Sequence, residues 1–260
     1  MVVATEPKVV VVMPAYNAAG TLRLTYEALP HGRAVQVIVV DDGSTDNTVE
    51  VAQALGLEIF VHNRNYGYGA NQKTCYIEAL KAGADVVVMI HPDYQYDPRF
   101  LPDIIAPITR GEADIVLGSR LQGSRGFEAI RSGMPWWKWM PNRFLTKVEN
   151  LAFGRNLSEY HTGYRAYTRE VLEACHFQMN LDGFVFDQEI IAQAVAAGFR
   201  ITEIKVPIRY FPEASSAGWI ASAVYGLKIL LLVGRYLLHR SDLLPSRQFV
   251  GLKGRYKRVG

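Results

Sequence analysis

Cysteine is scarce in this chain. Two cysteines, Cys75 and Cys175, occur among 260 residues, which argues against a disulfide framework. Both lie in helix-like apolar contexts, so we expect reduced thiols in the core of a cytosolic protein. The first apolar run, "KVVVVMPAYN", is too short for a signal peptide and has no cleavage-type sequence. It predicts a buried strand.

Internal repeats and low-complexity stretches are also lacking, and charge of one sign is in only small excess, with a net charge of +3. That charge is unevenly placed, because six basic residues and one acidic residue occur from Arg240 onward. Such a basic tail indicates either attraction to an anionic surface, such as lipid headgroups, or a solvated, disordered end. Hydrophobic residues make up 49% of the chain, enough for a sizeable core.

Short apolar runs alternate with helical patterns in the first half of the chain. Strands are predicted at 9–13, 35–40, 57–61, 85–90 and 114–117, and helices at 21–29, from "DDGSTDNT" to Gly56, at 70–82 and at 100–108. This alternation predicts an α/β fold with a mixed, mostly parallel sheet flanked by helices. The polar clusters "PAYN", "DDGS", "HPDYQ" and "GSR" follow four strands, at the edge where such sheets bind ligands. They therefore predict one site.

The second half is less regular. A loop is predicted at 121–140, helices at 142–154 and 184–197, and strands at 163–167 and 200–208. The apolar run 217–239 predicts a helix on which Lys228, Arg235 and His239 lie within about 40° of one another. This stripe favours an amphipathic helix in the membrane interface, with packing against a partner subunit as the alternative. We therefore divide the chain into a domain, 1–216, and a C-terminal amphipathic helix with a basic tail, 217–260.

The stretch "MIHPDYQYDP" places His91, Asp93 and Gln95 at alternate positions. In an extended segment these three side chains would point to the same side and converge at the end of a strand. Carboxylate and amide oxygens suit Mg²⁺ or Mn²⁺, and the imidazole makes Mn²⁺ plausible and Zn²⁺ possible. Water and substrate phosphate oxygens would fill the other coordination positions.

Two adjacent carboxylates, Asp41 and Asp42, follow the second strand. Ser44 and Asp46 are expected to cap the next helix, but Asp41 and Asp42 lie too early for that cap alone. They could bind a metal, a ribose or a base edge. The loop "NRNYGYGAN", which contains Gly69, lacks the third glycine of a dinucleotide fingerprint. Its glycines either turn the chain or let backbone amides approach a ligand.

Cations follow the later strands. Arg120 and Arg209 could stabilise a departing diphosphate, with a surface ion pair as the alternative for each arginine. The loop between them is rich in tryptophan and carries the cations Arg131, Lys138 and Arg143, which suit a phosphate at headgroup level.

Several motifs together resemble the family 2 glycosyltransferases, and most of all their dolichyl- or polyprenyl-phosphate sugar synthase branch. They are "VVVVMPAYNAAGTL", "VIVVDDGSTDNT", "NYGYGAN", "HPDYQ", "DIVLGSR", "HTGYRAYTREVL" and "ITEIKVPIRY", in order from about Val9 to Tyr210. The resemblance implies a GT-A (Rossmann-like) fold, a nucleotide-sugar donor, Mg²⁺ or Mn²⁺, and inversion at the anomeric carbon.

The resemblance also implies roles for individual residues. The donor-binding set comprises Pro14, Ala15, Tyr16, Asn17, Asp41, Asp42, Gly69, Arg120 and Arg209. His91 stands where the branch has the first aspartate of an Asp-x-Asp-x-Gln metal motif, while Asp93 and Gln95 keep their places. Glu159 replaces an aspartate, and His161 follows two residues later. We treat Asp93, Glu159 and His161 as catalytic candidates, although Glu159 and His161 could instead be structural.

The leading functional hypothesis is inverting transfer of a sugar from a GDP- or UDP-sugar to a polyprenyl phosphate. The enzyme would be cytoplasmic and peripherally attached to the inner face of the membrane, with no nucleic-acid partner, and could form a homo-oligomer through the C-terminal helix. One alternative is transfer to a hydroxyl of a polysaccharide or small soluble molecule, with Glu159, His161, Asp187 or Glu189 as base. Another is a catalytically impaired nucleotide-sugar-binding module.

Overall fold

A computed structural model describes residues 6–30, 32, 35–123, 130, 134, 136–208 and 219–252. Seven strands in these residues form one sheet. In chain order, β1 to β7 are Val9–Ala15, Val35–Asp41, Glu58–Val61, Val86–Ile90, Ile115–Ser119, Tyr164–Thr168 and Ile201–Lys205.

Eight α-helices connect or follow these strands in the described part of the chain. In chain order, α1 to α8 are Leu22–Glu27, Thr48–Ala54, Tyr68–Lys81, Leu101–Thr109, Trp136–Phe153, Arg169–Ala174, Phe186–Ala196 and Trp219–Arg240. Short 3₁₀ turns occur at Pro98–Phe100, Phe177–Met179 and Arg247–Phe249.

The sheet is mixed, with the order β3-β2-β1-β4-β6-β5-β7. Strand β1 pairs in parallel with β2 and β4, β2 with β3, and β5 with β7, whereas β6 runs antiparallel between β4 and β5. Central strands such as β1 are buried along their whole length, because helices cover both faces of the sheet. The mixed, mostly parallel α/β fold predicted from the sequence is confirmed.

The core lies in two layers, one on each face of the sheet. Val10 and Val12 of β1 point to the layer formed with α3, α5, α6, α7 and α8. Val9 and Val11 point to the opposite layer, formed with α1, α2 and α4. Successive strand residues point to opposite faces, so one valine run supplies both layers.

Helix α5 begins at Trp136, so the loop predicted to extend through residue 140 was wrong in its last part. Pro141 lies inside this helix. A proline removes one backbone hydrogen bond, and burial of the helix face that carries Leu145, Ala152 and Phe153 offsets that loss.

Helix α8 packs against α5 and α7, and its residues Ile229, Leu232, Val233 and Tyr236 are buried in the core. A second apolar face is exposed, formed by Val224, Leu227, Leu230, Leu231 and Leu238. At about 100° per residue, the predicted stripe of Lys228, Arg235 and His239 lies between these two faces. The helix is therefore apolar on two sides, with the narrow polar stripe that the sequence predicted.

Among the described residues, one helical segment, Ala221–Arg240, is long enough and apolar enough to cross a membrane. This statement rests on length and composition alone. The predicted domain boundary between residues 216 and 217, and most of the basic tail, lie outside the described residues.

Candidate active site

Five segments of the chain meet at one edge of the sheet. They are the carboxyl ends of the parallel strands β1, β2, β4 and β5 and the start of the antiparallel strand β6. The register shows this directly, since Ala15 pairs with Asp41 and Ile90 pairs with Tyr164. The prediction that the four polar clusters share one edge is confirmed, and the antiparallel strand adds residues 159–163 to them.

The loops after β1 and β2 are joined into one rim. The backbone N–H of Asn17 donates to Ser44 Oγ at 2.8 Å, and Asn17 Oδ1 accepts from the N–H of Thr45 at 2.9 Å. Asn17 has a positive φ of 51°, which these cross-links hold in place. The structure thus gives the side chain of Asn17 a loop-joining role at this rim.

The donor-binding candidates of this rim differ in accessibility. Pro14 and Ala15 are buried in β1, whereas the Tyr16 side chain is half exposed beside them. An exposed aromatic ring at a strand end offers a face for a nucleoside base.

The two carboxylates at the end of β2, Asp41 and Asp42, are buried and already have protein partners. Asp41 accepts from the N–H of Ser44 at 2.9 Å and from its hydroxyl, so it belongs to the turn after all. Asp42 accepts from His62 Nδ1 at 2.7 Å, from the N–H of Tyr66 at 3.0 Å and from the N–H of Gly67 at 2.9 Å. Asp42 therefore ties the glycine-rich loop to β2.

Glycine is required in this loop by protein packing. The N–H of Gly69 donates to the carbonyl of Asp182 at 2.7 Å, and a Cβ at this position would lie 2.5 Å from the carbonyl oxygen of Leu181. The missing side chain thus allows the 181–182 segment to approach. Gly69 therefore serves protein packing, and its role in donor binding stays a prediction.

The extended conformation expected for the three metal-ligand candidates was wrong. Strand β4 ends at Ile90, and a turn follows in which Tyr94 has a φ of 56°. Asp93 Oδ1 accepts from the N–H of Gln95 at 3.0 Å, an interaction that closes the turn and interrupts the alternation of side chains. The imidazole of His91 lies against Gly163, where a Cβ would be 2.4 Å from Cδ2.

A chain of polar contacts orients His91. Tyr68 Oη lies 3.1 Å from His91 Nε2 and donates to Asp187 Oδ2 at 2.7 Å, and Asp187 lies 3.3 Å from the buried guanidinium of Arg165. Because the tyrosine proton goes to Asp187, His91 Nε2 carries a proton and Nδ1 keeps its lone pair. Burial lowers the pKa of His91 below its ordinary value, which favours this neutral form.

A metal would be held by few protein groups. No three His, Cys, Asp or Glu side chains gather as a metal site within the described ranges. His91 and Asp93 supply a lone-pair nitrogen and a carboxylate, with the amide of Gln95 in the same turn. This set fits a divalent cation that takes its remaining ligands from substrate and water.

Arg120 follows β5 and is held by Glu159. The Glu159 carboxylate has no exposed surface and accepts from Arg120 Nε at 2.9 Å, from Arg120 Nη2, and from Arg120 N–H at 2.9 Å. Asn142 Nδ2 donates to the same group at 2.8 Å. A carboxylate with four such contacts is poorly placed to accept a substrate proton, so the geometry favours the structural alternative for Glu159.

The other candidate bases also have protein partners. His161 Nδ1 contacts Tyr225 Oη at 3.0 Å and Gln188 Nε2 at 3.1 Å. Glu189 accepts from the N–H of Leu181 at 2.7 Å, and Asp187 is engaged as described above.

Of the cations expected to bind phosphate, Lys138 and Arg143 lie on α5, while Arg131 and Arg209 lie outside the described residues. Burial lowers the pKa of Lys138, and the positive charge of Arg120 lowers it further. Two cations from different elements are thus close enough to interact.

The sequence analysis did not identify four further residues of the site, Tyr68, Glu149, Arg165 and Tyr225. The arginine in the strand "GYRAY" was the one available signal.

Comparison with known proteins agrees with this architecture. The model of the family described as Glycosyl transferase family 2 matches residues 10–175. The low-salt glycan biosynthesis hexosyltransferase Agl6 of Haloferax volcanii is 32% identical over 218 residues, which cover 81% of this chain and 49% of that protein. This chain therefore spans about half the length of that relative.

A second relative is the UDP-N-acetylglucosamine–dolichyl-phosphate N-acetylglucosaminyltransferase of Methanococcus voltae, 24% identical over 235 residues, covering 84% of this chain and 91% of that one. Among solved structures, glucosyl-3-phosphoglycerate synthase from Mycobacterium tuberculosis, in complex with Mn²⁺, UDP-glucose and phosphoglyceric acid, superposes with a TM-score of 0.63 at 20% identity. The alignment covers 92% of this chain and 81% of that chain. The chain belongs to glycosyl transferase family 2 and has the GT-A fold that its motifs predicted.

Proposed function

We propose that this protein transfers a sugar from a nucleotide-diphosphate sugar, GDP- or UDP-linked, to a polyprenyl phosphate at the cytoplasmic face of the membrane. The observation that carries the proposal is that four candidate bases, Glu159, His161, Asp187 and Glu189, already have protein partners. A hydroxyl acceptor needs a base to remove its proton, whereas a phosphate acceptor is already an anion.

In the proposed reaction an acceptor phosphate oxygen attacks the anomeric carbon and forms the new bond. The bond from that carbon to the donor diphosphate breaks, its electron pair leaves with the diphosphate, and the configuration inverts. Arg120 stabilises the charge that develops on the diphosphate. A divalent cation beside Asp93 and His91 would supply further neutralisation of the same oxygens.

The two cations Arg120 and Lys138 support an anionic acceptor. Burial lowers the pKa of Lys138, and repulsion from the positive charge of Arg120 lowers it further. A phosphate between them would remove that repulsion. Lys138 also lies over the ring of Trp137, with Nζ 5.1 Å from the ring centroid, at the start of α5.

Apolar surface on α5 and α8 supports a lipid acceptor. The exposed side chains of α5 include Trp136, Trp137, Met140, Phe144 and Leu151, and those of α8 include Val224, Leu227, Leu231 and Leu238. The two helices pack against each other on the same face of the sheet. Contiguous exposed apolar surface is typical of membrane or protein contacts.

A cleft of about 160 Å³ continues this surface toward the site. It is lined by Gly183, Phe184, Val185, Ala221, Val224, Tyr225 and Lys228. The Phe184 ring contacts that of Tyr68, with centroids 4.9 Å apart, and Tyr68 contacts His91. We place the acceptor's first prenyl units in this cleft, with Lys228 near the headgroup phosphates of the membrane lipids.

A screen of GDP- and UDP-sugars with Mg²⁺ or Mn²⁺, with and without a short polyprenyl phosphate, tests the reaction. The expected product is a glycosylated lipid of inverted configuration. Transfer to a soluble hydroxyl acceptor in place of the lipid would favour the first alternative. Donor binding with neither transfer nor hydrolysis would favour the impaired module.

Flotation with anionic vesicles tests the membrane contact. Leu227→Glu with Leu231→Glu should weaken vesicle binding, because two charges would enter the apolar layer. Leu24→Glu is the control, since Leu24 is also exposed but lies on α1, against the opposite face of the sheet. Equal loss of binding in both variants would contradict the proposed surface.

A further inference from the structure

We infer that Tyr225 is a positioning residue for Arg120, acting from α8 through His161. The inference rests on the proposed function only in giving Arg120 a phosphate to bind. Its structural basis is a set of contacts that joins a helix with an exposed apolar face to the guanidinium at the sheet edge.

The 159–161 segment fixes the orientation of Arg120 at two points. Glu159 binds Nε and Nη2 from one side, and the backbone carbonyl of His161 accepts from Nη2 at 2.7 Å. A shift of the backbone at His161 therefore changes the direction of the guanidinium.

The imidazole of His161 is in turn held by three helices. Gln188 Nε2 of α7, 3.1 Å from Nδ1, is a donor, so Nδ1 accepts and the ring proton lies on Nε2. The hydroxyl of Tyr225 on α8 also donates to Nδ1, at 3.0 Å, so the two donors share the single lone pair of that nitrogen. On the other side, Nε2 lies 3.2 Å from Glu149 Oε2 on α5.

Glu149 makes this arrangement costly to disturb. Its side chain has no exposed surface, and in the described part of the chain neither carboxylate oxygen has a hydrogen-bond partner. His161 Nε2 is likewise without a hydrogen-bond partner in that part of the chain, so its 3.2 Å electrostatic contact with Oε2 is what compensates the buried carboxylate. Tyr225 holds the ring in the orientation that serves both Glu149 and Arg120.

Tyr225→Phe removes the hydroxyl and keeps the ring. Tyr236→Phe is the matched control, because it makes the same chemical change on the same helix, where the Tyr236 ring packs against Phe153 and Phe249. In NMR spectra of the ligand-free protein, the Nε–H resonance of Arg120 can be assigned because it is absent from the Arg120→Lys variant. This resonance should shift or broaden in Tyr225→Phe and stay in place in Tyr236→Phe. An unchanged resonance in Tyr225→Phe would overturn the inference.

With donor and acceptor present, Tyr225→Phe should lower kcat by a few fold to about tenfold, the value of one hydrogen bond, with little change in KM. The loss should vanish in an Arg120→Lys background, because a double-mutant cycle is non-additive for groups that act together. Additive losses would refute the coupling. If the two substitutions have non-additive effects on UDP or GDP affinity but the protein does not transfer a sugar to polyprenyl phosphate, the coupling between Tyr225 and Arg120 is retained and the proposed function is rejected.

Discussion

Substitution of Glu159 by glutamine distinguishes a role in positioning Arg120 from a role as the general base. Glutamine keeps the shape and one accepting oxygen but loses the charge that balances Arg120, whose side chain is 15% exposed. Removing one partner of a buried ion pair costs about 3–5 kcal/mol, and we expect about 3 kcal/mol here because an acceptor remains. At roughly 2–4 °C per kcal/mol for a chain of this size, the midpoint of thermal unfolding should fall by about 6–12 °C.

Urea unfolding and calorimetry measure this loss, and calorimetric titration with UDP or GDP should show weaker binding in parallel. Glu112→Gln is the control, because Glu112 makes the same two-point contact with Arg110 on the exposed surface. That variant should be indistinguishable from the parent, since exposed ion pairs contribute little. A Glu159→Gln protein of full stability and full nucleotide affinity, but with kcat reduced, would restore Glu159 as a base and refute the reasoning.

Three further predictions concern single sites. Asp93→Ala should abolish transfer and the Mn²⁺ dependence of nucleotide binding while lowering the unfolding midpoint only slightly, because one turn hydrogen bond from the Gln95 N–H is lost; activity that survives both this change and EDTA would exclude the metal. Gly69→Ala should cost about 1–3 kcal/mol in urea unfolding because of overpacking, whereas Gly20→Ala, with no atom within 4 Å of the added Cβ, should not; equal costs would contradict the packing account. Burial raises the pKa of Cys175 to about 12, so a thiol reagent should modify it only after unfolding, and rapid labelling of folded protein would be inconsistent with this burial.

Much of the fold follows from local pattern. The valine runs of β1 and β4 predict buried parallel strands, and the polar residues after each strand predict the edge that forms the site. Errors occurred where a local rule met a competing interaction. Residues 121–140 were predicted to form a loop, but α5 begins within them at Trp136, and one face of this helix is buried. The alternation of His91, Asp93 and Gln95 indicated an extended segment, but the Asp93 side chain closes a turn there instead.

Roles within the site were less predictable, because they depend on partners distant in sequence. The hydroxyl of Tyr68 reaches Asp187 across 119 positions, and the hydroxyl of Tyr225 reaches His161 across 64. Neither pairing leaves a periodic trace in the sequence. The family motif located Glu159 correctly beside the site. That Glu159 is the partner of Arg120 could be seen only from the three-dimensional structure.

The position of β6 has a consequence for synthesis of the chain on the ribosome. Strand β4 emerges with one edge paired to β1, and the next strand to appear, β5, is not its neighbour in the sheet. The other edge of the fully apolar β4 stays unpaired until β6 has been synthesised, and β6 follows α5 in the chain. A nascent chain in this interval presents an unpaired hydrophobic edge, the kind of surface that templates aggregation and that chaperones bind. Truncated products that end before residue 164 should therefore accumulate as insoluble material, whereas a chain that has completed β6 closes the centre of its own sheet.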